Sequence, residues 1–149
     1  MQSAPQFAVT IRAIIVDQGQ LLMVKHQPGH NYHALPGGRL EIGESLEHGL
    51  TRELLEETNV HAQIGRLLFI NEWISHTHHR VEFFFWVKNP AAFRAANPHQ
   101  ATHGFEIAEL IFGDAANPKL NILPTFLQKK FAQIVELGEN YPTEMIRSS

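Results

Sequence analysis

Apolar positions along this chain follow two different periods, and the places where the period changes mark its elements. Residues 9–16 are apolar and largely β-branched except at Thr10 and Arg12, and residues 21–24 form a second apolar run. Asp17-Gln18-Gly19-Gln20 lies between them, a short polar segment with a glycine that predicts a β-hairpin. Pro28-Gly29-His30-Asn31 predicts a loop, then residues 32–35 a short extended piece that Pro36-Gly37-Gly38 stops with a tight, exposed turn. At Ser45 the period lengthens. Leu46, Leu50 and Leu54 recur every four residues, one face of a helix, with Ser45 as its N-cap. The helix ends near Thr58, with Asn59 just past it. Residues 64–74 and 80–87 read as longer strands joined by the polar stretch 75–79, and residues 105–112 as a further strand. Leu123, Leu127, Phe131, Ile134 and Val135 return to helical spacing over residues 123–137, with Pro124 near the start and Gly138 past the end. Residues 90–103, rich in Ala, Pro, Asn and His, form the longest loop. No repeat or linker interrupts this order, so residues 1–149 make one domain, an α+β or mixed α/β sandwich with helices covering a mixed sheet.

Composition narrows the function. Hydrophobic residues make up 44% and charged residues 18%, the balance of a folded domain. The absence of cysteine excludes disulfides, thiolate zinc sites and cysteine nucleophiles. Twelve Lys+Arg against fifteen Asp+Glu leave a net charge of −3, which does not build the positive field a long nucleic acid requires. A small anionic substrate stays open where cations are supplied locally. Residues 1–7 lack the basic and apolar regions of a secretory signal, and no apolar stretch reaches bilayer length, so the expected location is the cytoplasm with no membrane partner.

The chemistry concentrates in residues 38–60. Glu53, Glu56 and Glu57 lie three and four positions apart, so their carboxylates share an arc of about 100° on the predicted helix. They repel one another and sit near the helix C-terminus, where the macrodipole disfavours negative charge. Alone, such a face reads as solvated surface. The preceding loop changes that: the turn at Pro36-Gly37-Gly38 and a second at Gly43 present carbonyls beside the carboxylates, an all-oxygen site for a hard dication such as Mg²⁺ or Mn²⁺. Gly49, one turn before Glu53, is expected to leave room above that face for a ligand. Arg52 and Glu44 are expected to pair and fasten the loop to the helix, a structural role. Residues 38–45 nearly match a P-loop, but Glu44 stands where the lysine belongs and would repel a phosphate.

These residues resemble the Nudix box: glycine, five residues, glutamate, seven residues, Arg-Glu, an apolar residue, any residue, Glu-Glu, any residue, glycine, an apolar residue. Gly38, Glu44, Arg52, Glu53, Glu56 and Glu57 occupy its fixed positions, and Asn59 alone departs, standing where the family has glycine. Asparagine is the next-best residue for a left-handed helix end. His33 to Gly38 is similar to the family's lead-in. The resemblance implies an α/β/α sandwich around a mixed sheet, and a Nudix (MutT-like) hydrolase that needs Mg²⁺ or Mn²⁺. Its substrate would be a nucleoside diphosphate linked to another group, a nucleoside triphosphate or nucleotide sugar, cleaved at the pyrophosphate linkage. It further implies Glu53, Glu56 and Glu57 as metal ligands with the Gly37 carbonyl beside them, Glu53 alternatively as the base, and a later glutamate, Glu106 or Glu109, joining them. Arg12 and Arg39 are candidates to hold phosphate oxygens, or plain surface residues. A homodimer is compatible with the family. The alternative is a non-catalytic nucleotide-binding or sensing module on the same fold, against which the intact acidic trio weighs.

His76, His78 and His79 invite a zinc site but offer no fourth ligand, so a polar hairpin is the preferred account. His26, His30 and His33 flank the glycine loop. Trp73 could stack on a base, although core packing is the default for it and for Phe83 to Trp86.

Overall fold

The apolar run after the N-terminus becomes a central strand. The computed structural model describes residues 6–26, 28–29 and 31–148; His30 lies outside them. The strands are β1 (Gln6–Ile14), β2 (Val16–Asp17), β3 (Gln20–Lys25), β4 (Gly37–Arg39), β5 (Ile64–Ile74), β6 (His78–Val87), β7 (Glu109–Gly113) and β8 (Glu144–Ser148), and the α-helices are α1 (Leu46–Thr58) and α2 (Phe126–Leu137). A five-stranded mixed sheet has the order β4-β1-β6-β5-β8, and a three-stranded sheet the order β2-β3-β7. β1 runs parallel to β6 and antiparallel to β4, and β5 runs antiparallel to β6 and parallel to β8.

Side-chain alternation sorts the core into two layers. Ile11, Ala13 and Ile15 pack with Leu50 and Leu54 of α1 and with Phe85. Ile14 faces the other way, with Phe69, Phe84 and the α2 residues Leu127, Phe131 and Ile134. One helix therefore covers each face of the sheet, an α/β/α sandwich. β3 is buried on both sides, Leu22 in one layer and Leu21 and Met23 in the other, so its sequence is a continuous apolar run. The β2–β3 turn holds Gln18 and Gly19 at φ 52° and 75°, the paired positive values that match strand twist in a two-residue hairpin.

Several expected boundaries move. Pro36-Gly37-Gly38 is not an exposed turn: Gly37 is buried and opens β4, pairing with Arg12, because its lack of a side chain permits close approach to β1. Residues 32–35 form isolated bridges, Val24 with Ala34 and His33 with Ile122, and no strand. His78 and His79 belong to β6 and not to the connecting turn, since parallel pairing with Gln6 and Phe7 draws them into the ladder. β7 begins at Glu109 because residues 104–106 coil into a 3-10 turn. α2 begins at Phe126, with Pro124 before it. Residues 90–103 carry two 3-10 turns, and β8 was not anticipated at all. No helix among the described residues is long and apolar enough to cross a membrane.

Candidate active site

Caps fix both ends of α1. Ser45 Oγ accepts the backbone N–H of His48 at 3.2 Å. Asn59 adopts φ 60°, ψ 24°, the left-handed conformation, and donates its N–H to Leu55. The last carbonyls find partners across the chain: the N–H of His103 donates to Glu56 O at 2.7 Å and that of Asn97 to Thr58 O at 3.4 Å. The loop at residues 90–103 thus holds the helix end that bears the acids.

Three glycines draw β1, β4 and this helix together by removing clashes. A Cβ on Gly37 would lie 2.0 Å from Ile11 O, and its φ of 138° is outside the range of ordinary side chains. A Cβ on Gly38 would lie 2.5 Å from the carboxyl carbon of Glu53, so that carboxyl rests directly on the β4 backbone. Gly49 serves a different purpose from the one expected. A Cβ there would meet the Ile11 and Leu40 side chains at 2.7 Å and Glu44 Oε1 at 2.9 Å, so Gly49 admits core packing and the Glu44 carboxyl beside α1 and makes no room above Glu53, Glu56 and Glu57.

Arg52 neutralises much of the acidic face. Its Nε and Nη2 donate to the two oxygens of Glu44 at 3.0 and 2.7 Å, tying the glycine loop to the helix, and Nη2 also reaches Arg39 O. Nη1 donates to its neighbour Glu53 at 3.0 Å and to Glu56, one turn on, at 3.3 Å, an i,i+4 pairing that the sequence reading overlooked. The pairing with Arg52 holds the Glu44 carboxyl below its ordinary range and drives the guanidinium pKa up.

Glu57 differs from its neighbours. It is 3% exposed, and its Oε2 accepts the Gly37 N–H at 3.4 Å. Burial, reinforced by the charge of Glu53, pushes its pKa up to about 8. Burial raises Glu53 as well, against the pull of Arg52. Glu56 also meets His103, whose Nδ1 lies 3.1 Å from Oε2. Of the two later glutamates, Glu106 is exposed and acts on Glu57 through its charge, whereas Glu109 is engaged by His33 Nε2 at 3.1 Å.

A cavity of about 530 Å³ opens on the sheet face opposite α1, lined by Arg12, Tyr32, Asn71, Trp73, Phe84 and Phe126 among others. Arg12 donates to Leu35 O at 3.2 Å and sits 3.7 Å from Glu82, and its position on β1 pairs with Gly37. Arg12 of this cavity and the acids of α1 therefore adjoin the same β1–β4 pair from its two sides. Trp73 is half-buried at this wall beneath the Arg80 guanidinium, 5.0 Å from the ring centre, and is not enclosed in the core.

Residues 5–126 match the NUDIX domain. The chain belongs to that family. A MutT-like protein of Streptomyces ambofaciens is 33% identical over 66 residues, 44% of this chain and 42% of that protein. An ADP-ribose pyrophosphatase of Methanocaldococcus jannaschii is 36% identical over 63 residues, 41% of this chain and 37% of that protein. The matched segments thus span about two fifths of each relative's length. The crystal structure of a MutT NUDIX hydrolase from Burkholderia pseudomallei aligns over 87% of this chain and 98% of its own, with a TM-score of 0.66 and 20% identity, a likeness of fold.

In this Nudix chain the acids form no ready-made coordination cage. Among the described residues no three His, Asp or Glu side chains gather as metal ligands, because Arg52 stands between Glu53 and Glu56 while Glu57 turns back to Gly37. The donor set nevertheless suits a hard dication: clustered carboxylate oxygens, one of them buried with no cation in hydrogen-bond contact. The histidine trio does not form a zinc site. His79 Nε2 bonds Glu72 at 2.9 Å and His78 Nδ1 bonds Thr77 at 2.7 Å. Sequence reasoning missed the buried network under the cavity, in which Thr10 Oγ1 and Asn71 Nδ2 donate to Glu82, each at 3.2 Å. Polar residues at inward positions of otherwise apolar strands could have flagged it.

Proposed function

We propose that this Nudix chain is a pyrophosphohydrolase that depends on Mg²⁺ or Mn²⁺ and cleaves the diphosphate linkage of a nucleoside diphosphate joined to another group. One observation carries this: two desolvated carboxyls, Glu53 and Glu57, lie against the Gly37–Gly38 backbone, at the strand pair where an aromatic cavity presents Arg12. Glu53, Glu56 and Glu57 would hold the metal, with the Gly37 carbonyl as a further oxygen. A dication held there would withdraw charge from the diphosphate and ease the deprotonation of an attacking water. Glu106 from its loop, or Glu53 in place of its ligand role, would take the proton of the attacking water. Arg12 and Arg39 bind phosphate oxygens, and the base stacks among Trp73, Tyr32 and Phe126 in the cavity. The name of the Methanocaldococcus jannaschii relative supports a substrate of this class.

The test is hydrolysis of a panel of nucleoside triphosphates, nucleotide sugars and ADP-ribose, with and without metal, products being identified by phosphorus NMR. Metal-dependent release of a nucleoside phosphate supports the proposal. Tight nucleotide binding without turnover supports a sensing module instead.

A further inference from the structure

A second cavity, of about 370 Å³, lies on the same sheet face and shares Arg12 and Arg80 with the first. Strand register explains its chemistry. Ala8 pairs with Arg80, and Thr10 with Arg39, so these side chains and Arg12 project on one face. Arg12, Arg39 and Arg80 line it with Thr10 and His78, and no carboxylate is among the described residues at its wall. The acid beneath, Glu82, is shared: it stands 3.7 Å from Arg12 Nε and 3.8 Å from Arg80 Nε, while its hydrogen bonds come from Thr10 and Asn71. One carboxylate thus faces two guanidiniums and hydrogen-bonds neither. Arg80 Nε is buried with no hydrogen-bond partner. Three arginines converging on one cavity, in a chain of net charge −3, leave a local positive excess and unmet donors that a neutral group would not satisfy.

We propose that this cavity is an anion subsite for a phosphate or carboxylate carried on the group beyond the diphosphate, received at Arg80 while Arg12 and Arg39 at its border hold the diphosphate, so that the preferred substrates bear a third anionic group there. The proposal rests on the hydrolase function above. Because the cavities meet at Arg12 and Arg80, one ligand can place its base among the aromatics and its far anion at Arg80.

The experiment compares kcat/KM for three nucleoside diphosphate sugars, carrying glucose, glucuronate or glucose 6-phosphate. The charged sugars are expected to be preferred by about tenfold, the size of one charge-assisted contact, and whichever gains more identifies the anion. Ala8→Glu, which places a carboxylate beside Arg80 in this cavity, is expected to abolish the preference, read as the ratio of kcat/KM for charged and uncharged sugars within each protein. Equal rates on all three in wild type, or a preference that survives in Ala8→Glu, would overturn the subsite. If no compound is hydrolysed, the hydrolase proposal fails and the subsite is decided by calorimetric titration of metal-free protein with inorganic phosphate. Saturable binding weakened about tenfold in Ala8→Glu supports it. No binding, or equal binding in both proteins, refutes it.

Discussion

The backbone amide of Gly37 and the carboxyl of Glu57 face each other at 3.4 Å, the strand edge supplying a hydrogen bond to a buried acid of the helix. Glutamine in place of Glu57 keeps an acceptor for that amide and removes the charge. We expect Glu57→Gln to lower kcat by about 100-fold or more, the scale of losing a group that acts in the transition state. The melting temperature of the metal-free protein should hold or rise. Full activity in this variant, measured at saturating metal, would contradict the site.

The same carboxyl makes stability depend on pH. Its pKa is raised from 4.5 to about 8, so between those values the folded chain holds a proton that the unfolded chain has lost. Stability without metal therefore falls as pH rises from about 4.5 to 8 and levels off above. Metal releases that proton, so apparent affinity climbs over the same interval. Denaturant melts across this range, in chelator, should show a steeper decline for wild type than for Glu57→Gln; identical slopes would refute the assignment.

Gly37→Ala is expected to be severely destabilising, by roughly 3 kcal/mol or more, since strain at φ 138° adds to a clash with the Ile11 carbonyl. Circular dichroism melts give the comparison. A change under about 1 kcal/mol, small on the scale of point mutations, would mean that β4 can move off β1 freely.

Asn59→Gly should be nearly silent in both stability and rate, because the position already sits at φ 60°. Asn59→Val, by contrast, should cost about 1–2 kcal/mol from the left-handed conformation alone. Equal melting temperatures for the two variants would show that this helix end tolerates any cap.

Local rules made parts of this architecture readable. Ser45 and Asn59 bracket α1 because caps are chosen by residues a few positions apart, and Gln18-Gly19 declares its turn through backbone preference. What depends on partners far along the chain stayed hidden. β4 looks like a turn until β1 arrives beside its glycines, and β8, with Met145 exposed at 66%, lacks the apolar weight of an inner strand and gains its pairing only from β5. In the site, the box residues were plain from spacing. The meeting of Glu56 with His103 and the bonding within the Glu82 network arise from tertiary contact, whereas the reach of Arg52 to Glu56 is an i,i+4 pair on one helix that spacing alone could have flagged.

The parallel pairing of β1 with β6 carries a consequence for how the molecule assembles. Everything from the hairpin through α1 lies in the crossover between those two strands, so the sheet closes only after a long loop has been gathered, a requirement that favours slow folding. A cut between α1 and β5 would leave β1 and β4 on one fragment and β5, β6 and β8 on the other. Neither piece owns a finished sheet, so catalytic machinery and scaffold should be acquired in one cooperative event, recoverable from halves only by complementation.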